Sequence, residues 1–308
     1  MSFMSSSRSY DQDTLVTCRR HHPTGNQGQT QTEGIKRRAL ATFKGLYLGP
    51  KDEAMSTINE AFPELGMGED DYLEMSWIES MVYFSSLGER ATTNDLRSRQ
   101  SQQKIHFKAK SDYVKSPIPL DAIRTILDML GEEPKSSLIF DPYGGAMERI
   151  SENAIAFPHR HGNLLNIRYM VSWSEQEKAN TKRCEDWLRR LYSFMEPFVS
   201  ANPRAAYVNY MDLDLGAKDP DCNGNCSGDA VEKAREWGKK YFLGKYDRLV
   251  RAKTMIDLGN VFRHQQGIPP LQLKAVDGNG SDKECKCREY SDSRFCFPGH
   301  ITGQGQKI

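Results

Sequence analysis

A change of period between residues 164 and 198 restricts what this chain can fold into more than any other stretch. From Leu164 to Trp173 the residues alternate, which places Leu165, Ile167, Tyr169 and Val171 on one face of a strand. Asn166 and Arg168 share the other face with Leu164 and Met170. Ser174 and Glu177 then have the spacing of a capping box, and Cys184, Trp187, Leu188, Leu191, Met195 and Phe198 follow at helical spacing. A strand with one apolar face running into a helix with one apolar stripe hides both surfaces by laying helix on sheet.

The pattern recurs along the chain. Residues 41–48 and 105–110 alternate like strands, and a short strand is expected near residues 14–17. Residues 137–140 form a strand that runs into the turn Asp141-Pro142-Tyr143-Gly144-Gly145, whose glycines allow close backbone approach. Residues 205–211 read as another strand. Helices are expected over 52–61, stopped by Pro63, and from Pro119 to Gly131, with Leu120, Ile123, Leu127 and Leu130 on one stripe. Two more cover 230–242 and 246–255. Half-buried alternation, without solid apolar runs, predicts an α+β fold: an antiparallel sheet covered by helices on one face.

Four regions divide the chain: a poorly ordered lead (1–40), a main body (41–200), a further segment (201–271) and a disordered tail (272–308). Between His22 and Gly34 there is no aliphatic residue, Phe, Tyr or Trp, so ordering that stretch gains little burial. Lys+Arg number 42 and Asp+Glu 41, a balance that gives no electrostatic reason to expect nucleic acid. No apolar run reaches the roughly 18 residues of a membrane span. Seven cysteines are odd in number and unevenly spread, which excludes a complete disulfide framework. Cys285, Cys287, Cys296 and His300 are ligand types that suit zinc, but their spacing is not that of a zinc site, and no metal is assigned. Asn225 and Asn279 begin glycosylation sequons. The first residues lack the apolar core of a signal peptide, so a complete chain of this sequence would be cytoplasmic.

Eight segments in order then carry a family resemblance. They are Phe62-Pro-Glu-Leu-Gly, Met75-Ser-Trp-Ile-Glu-Ser, Tyr113-Val-Lys-Ser-Pro-Ile-Pro, Asp141-Pro-Tyr-Gly-Gly-Ala-Met, Phe157-Pro-His-Arg-His-Gly-Asn, the run from Val199 to Gly216, Trp237-Gly-Lys-Lys-Tyr-Phe and Gly267-Ile-Pro-Pro-Leu. Over residues 41–271 the chain resembles the C-terminal, substrate-binding half of the berberine bridge enzyme-like family, which includes reticuline oxidase and the cannabinoid-forming and monolignol oxidases. The resemblance implies an FAD-dependent oxidoreductase of phenolic, alcohol, sugar or alkaloid substrates, with molecular oxygen or another acceptor reoxidising the flavin. It also implies a secreted protein. The family attaches FAD through a His and a Cys in a preceding flavin domain, and no residue here matches either. The alternative reading is a catalytically inactive remnant or an aromatic-binding module.

Site residues follow from the same resemblance. Asn166 stands where alkaloid and cannabinoid oxidases hold a catalytic Glu base, and an Asn cannot take up a proton at neutral pH. Arg168 stands where Gln is common and brings a fixed positive charge, suited to holding an anion or a phenolate. Tyr210 resembles the catalytic tyrosine of cannabinoid synthases, and with an ordinary pKa of about 10 it needs a nearby cation to ionise usefully. Tyr207 and Asn209 resemble residues that touch the flavin, and strand alternation would set them on one face. Asp141 replaces an active-site tyrosine of the cannabinoid synthases, while His159 and Arg160 read as structural. The residues alone leave two readings open: Asn166 and Arg168 on a solvated strand face or at a ligand, and the tyrosines as packing groups or as functional ones.

Overall fold

The structure, a computed structural model, describes residues 15–24, 39–85, 87–88, 91–98, 105–218 and 230–271. The cysteines and His300 of the tail, Cys222, Cys226 and both sequons lie outside these residues. β1 (Leu15–Thr24) pairs antiparallel with β2 (Ala39–Leu48) along its whole length, from Leu15 opposite Leu48 to Thr24 opposite Ala39. The strand expected near residues 14–17 therefore runs on to Thr24, carried by ladder hydrogen bonds and not by an apolar pattern of its own. α1 (Lys51–Ala61) follows, and the helical path breaks before Pro63. β3 (Tyr72–Met75) completes a first sheet of order β2-β1-β3, and α2 (Trp77–Phe84) opens with a capping box between Ser76 and Glu79.

The second sheet holds the polar strand face. Its strands are β4 (Ile105–Val114), β5 (Ser136–Pro142) and β6 (Leu165–Ser174), in the order β4-β6-β5 and antiparallel throughout. α3 (Leu120–Glu132) joins β4 to β5, the single turn α4 (Ala146–Arg149) follows β5, and α5 (Thr181–Phe194) follows β6. Ile167, Tyr169, Val171 and Trp173 of β6 are buried against Ile126 and Met129 of α3 and Cys184, Trp187, Leu188 and Leu191 of α5. Each such apolar side chain stabilises the fold by about 1.5–3 kcal/mol on burial. Helices thus cover one face of this sheet, as the alternation requires. The Ser174–Glu177 box is present, with the Ser174 N–H donating to Glu177 at 2.9 Å, but it opens a 3-10 segment (Glu175–Asn180), and the α-helix begins only at Thr181.

Residues 205–211 form no strand. The chain turns there, with the Tyr210 N–H donating to the Tyr207 carbonyl at 2.9 Å. Side chains and isolated backbone bonds take the place of a ladder. The Ser200 N–H donates to the Tyr113 carbonyl at 2.7 Å, the Ala206 N–H to the Lys240 carbonyl at 3.0 Å and the Tyr207 N–H to Ser111 Oγ at 2.9 Å. Two ionic clusters reinforce this loop. Arg204 binds the fully buried Asp112 through two bonds of 2.7 and 2.6 Å and lies 3.4 Å from the Tyr192 ring centroid. Lys108 and Lys110 of β4 and Arg189 of α5 converge on Asp212 and Asp214 at 2.6–3.0 Å.

α6 (Ala230–Phe242) and α7 (Tyr246–Ile256) close the described chain. They share a core with Ala206 and Leu215, centred on Trp237, Tyr241, Tyr246 and Val250. Gly238 is what lets Tyr246 lie so close: a Cβ there would sit 2.2 Å from the ring. Among the described residues no helix is long and apolar enough to cross a membrane.

Candidate functional site

The strand register assembles the site on the face of the second sheet that α3 and α5 leave uncovered. Asn166 is opposite Tyr113 on one side and Asp141 on the other, and Arg168 is opposite Ser111 and Ile139. Because directly opposed residues project to the same side, Tyr113, Asn166, Arg168 and Asp141 share one surface. The loop at residues 205–211 then brings Tyr207 and Tyr210 to that surface through the bond to Ser111.

Asn166 is fully buried, and its amide nitrogen donates to the Asp112 carbonyl at 3.0 Å. That bond orients the side chain and leaves Oδ1 without a protein partner. Arg168 is half-buried, with its guanidinium carbon 5.1 Å from the Tyr210 ring centroid, a cation–π arrangement, and its Nε also unpartnered. Tyr210 meets Tyr207 edge to face at 5.1 Å. Asn209 is exposed and donates to the Tyr207 hydroxyl at 2.7 Å, so the pair is joined by a turn and not by strand alternation. The structure thus brings Asn166, Arg168, Tyr207 and Tyr210 together, with Asn209 at the rim.

The electrostatics depart from the sequence reading at one point. Arg168 does lie over Tyr210, but burial and the neighbouring Asp141 carboxyl raise the phenol above its ordinary value, and the Arg168 charge only partly opposes them. Tyr210 therefore keeps its proton at neutral pH and serves as a hydrogen-bond donor. Asp141 is itself raised by burial, against the Arg168 charge and the Tyr210 hydroxyl, which both favour the carboxylate.

An aromatic wall that the alternation pattern did not predict encloses the cluster. Tyr113 stacks on His159 at 4.1 Å and meets Tyr143 edge to face at 5.7 Å, while Phe157 stands 5.9 Å from Tyr207. Burial raises the Tyr143 phenol to about 12. Tyr143 and Phe157 sit in the two motifs Asp141–Gly145 and Phe157–Asn163; those motifs were the available signal, but spacing says nothing of their adjacency. His159 is buried, and its Nε2 bonds the Tyr241 carbonyl at 2.8 Å, tying this wall to α6. Gly144 and Gly145 are needed for their backbone angles, φ of 146° and 53°. A Cβ on Gly144 would meet nothing within 4 Å, so its reason is not close approach.

A helix-backed antiparallel sheet whose free face gathers a buried amide, a guanidinium, a carboxyl and tyrosines presents groups that can hold a small polar aromatic molecule. Comparison with known proteins agrees. Residues 206–269 match the family model described as berberine and berberine like. Berberine bridge enzyme-like D-2 of Nicotiana tabacum is 57% identical over 254 residues, covering 79% of this chain and 45% of that protein. Reticuline oxidase of Eschscholzia californica is 44% identical over 231 residues, covering 75% of this chain and 42% of that protein. The solved structure of a berberine bridge enzyme variant in complex with (S)-reticuline superposes with a TM-score of 0.71 at 39% identity, covering 84% of this chain and 48% of that one. The chain belongs to the berberine bridge enzyme-like family. It spans less than half the length of the curated relatives it matches.

Among the described residues, those on this face suit one side of a flavin ring. Buried polar atoms without protein partners, Asn166 Oδ1 and Arg168 Nε, come from this face, and Tyr207 with Asn209 offers a phenol and an amide at its rim. Cys184, a buried free thiol, lies among the core residues on the opposite face, and the His159 imidazole is enclosed, so neither can reach a ligand at this surface.

Proposed function

We propose that this chain is the substrate-binding part of an FAD-dependent oxidoreductase acting on small aromatic alcohols or phenols. The observation that carries the reading is the convergence of Arg168, Tyr210 and the aromatic wall on the uncovered sheet face. Tyr207 and Asn209 would contact the flavin ring, and bound FAD would accept two electrons. The relative seen in complex with (S)-reticuline supports an aromatic substrate. Family membership supports oxygen or another acceptor for reoxidation, and a secreted full-length protein.

This chain's own side chains bind and orient. The Arg168 guanidinium holds a substrate oxygen that gains negative charge, an interaction that strengthens as water is excluded. Tyr210 donates its hydroxyl proton in a hydrogen bond to the same oxygen. Asn166 can accept a hydrogen bond at Oδ1 but no proton, which limits it to positioning. The aromatic wall supplies stacking surface.

Pairing tests the reading. The chain is co-expressed with the flavin-bearing remainder of the tobacco relative, and the purified pair is assayed for retained yellow colour and for oxidation of aromatic alcohols. Retention of FAD with turnover supports the proposal, and in that pair Tyr210→Phe lowers kcat by about 100-fold, the lower range for loss of one hydrogen-bond donor to a developing oxyanion. A colourless pair that still binds phenols would favour the aromatic-binding module, a reading that the Asn at position 166 supports on its own.

A further inference from the structure

Asn166 leaves the oxidation proposed above without a proton acceptor at its position, yet a carboxyl stands directly across the ladder from it. Asp141 of β5 is paired in register with Asn166, on the same face, with Arg168 two residues further along β6. It interacts with the Arg168 charge and the Tyr210 hydroxyl, and it is half-buried. We propose that Asp141 is the general base of this chain, a carboxylate displaced by one strand from the position that Asn166 occupies. The inference rests on the oxidoreductase reading and adds to it a substrate that must carry an ionisable hydroxyl.

The proton has a complete route. When the substrate O–H bond breaks, its proton goes to the Asp141 carboxylate. Bound flavin would supply the hydride acceptor, so that loss of the hydroxyl proton to Asp141 and of hydride from the adjacent carbon would together convert the carbinol to a carbonyl. Asp141 then returns its proton to solvent. Three features of the site suit that task. Arg168 keeps the carboxylate charged and holds the developing alkoxide or phenolate. Tyr210 donates to either oxygen. Partial burial brings the affinity of Asp141 for a proton closer to that of the group it deprotonates, which favours transfer. The groups that face Asp141 are Arg168 from β6, Tyr210 from the C-terminal loop and Tyr143 beyond the turn; Tyr113 of β4 and Tyr207 stand behind them. One of these, Arg168, is cationic, and burial raises the phenols of Tyr113, Tyr143 and Tyr210 above their ordinary value.

Two measurements test the assignment. The first uses this chain alone, labelled with 13C at the aspartate carboxyl carbons, with the Asp141→Asn variant identifying the resonance. Asp141 should titrate above the ordinary aspartate range, and Arg168→Gln should move its midpoint further up. A midpoint in the ordinary range, unmoved by Arg168→Gln, would overturn the inference. The second uses the flavin-loaded pair described above. There Asp141→Asn should lower kcat by about 100-fold or more with KM little changed, and abolish the acid limb of the pH–rate profile, while Asp141→Glu recovers part of the rate. A yellow pair in which Asp141→Asn keeps full turnover would refute the base and leave the oxidoreductase reading intact. A pair that retains no flavin would remove both.

Discussion

His159 is held neutral by its surroundings. Burial lowers it to about 4, outweighing the bond from Nε2 to the Tyr241 carbonyl, and the Lys115 charge lowers it further. A base with a depressed folded pKa contributes stability that is whole above the ordinary histidine value near 6.5 and is lost as pH falls through about 4. The loss across that window should reach roughly 3 kcal/mol. Urea unfolding at pH 7 and pH 4.5 measures it, and His159→Gln should flatten the difference. Asp214 works in the opposite sense. Despite its partial burial, hydrogen bonds from Arg189, Lys110 and Lys108 hold it well below the ordinary range. Its contribution is present above the ordinary aspartate pKa and disappears in strong acid, so acid should first loosen the His159 wall and only later the cluster that Asp214 forms with Lys108, Lys110 and Arg189. At this scale the sequence exposed the residue types, but the signs of the shifts came from burial and from distant partners, as Lys110 and Lys108 of β4 are to Asp214.

The loop that presents Tyr207 and Tyr210 is held by charge where a strand would be held by its ladder. Arg204 is its main tie, with two bonds to Asp112, a third from Nη2 to the Tyr192 carbonyl at 2.7 Å and a stack on the Tyr192 ring. Arg204→Ala would strand the Asp112 carboxylate in the sheet and should destabilise the protein by about 3–5 kcal/mol, measured by denaturant unfolding. Arg204→Lys keeps the charge but loses the paired geometry and the stack, and should fall between. The contact between α6 and Tyr246 fails differently. Gly238→Ala would drive a methyl group into the ring and should cost about 1–3 kcal/mol through overpacking. Most elements could be read from period and caps: β4, β6, α5 and the helices after residue 230 lie close to where alternation and helical spacing place them. The strand expected at 205–211 could not, because alternating Ala, Tyr, Val and Asn is equally compatible with a loop whose polar groups find partners elsewhere. That choice depends on Ser111, Asp112 and Lys240, none of which is local.

Over the whole molecule, apolar groups at the far end of α7 remain uncovered. Ile256 is 84% exposed, Val261 70% and Phe262 83%, with Met255 at 73%. A clustered apolar surface of this kind promotes association. The isolated chain should self-associate as its concentration rises in analytical ultracentrifugation. The double substitution Ile256→Ser with Phe262→Ser should suppress that while leaving the melting temperature within a few degrees, since neither side chain is buried in a core.

Sequence alone determined the fold class, the helix-covered face of β6 and the membership of Asn166 and Arg168 on its other face, because periodicity of two is a local property that every strand must obey. It also determined which kinds of side chain were available for chemistry. Only the tertiary structure decided that Asp141 stands across from Asn166, that Tyr210 lies under Arg168 yet keeps its proton, and that Tyr143 and Phe157 enclose both. Those outcomes depend on strand register and on ionic contacts between distant segments, and the free energy of such a contact is set by the dielectric and partners around it, which no stretch of neighbouring residues encodes.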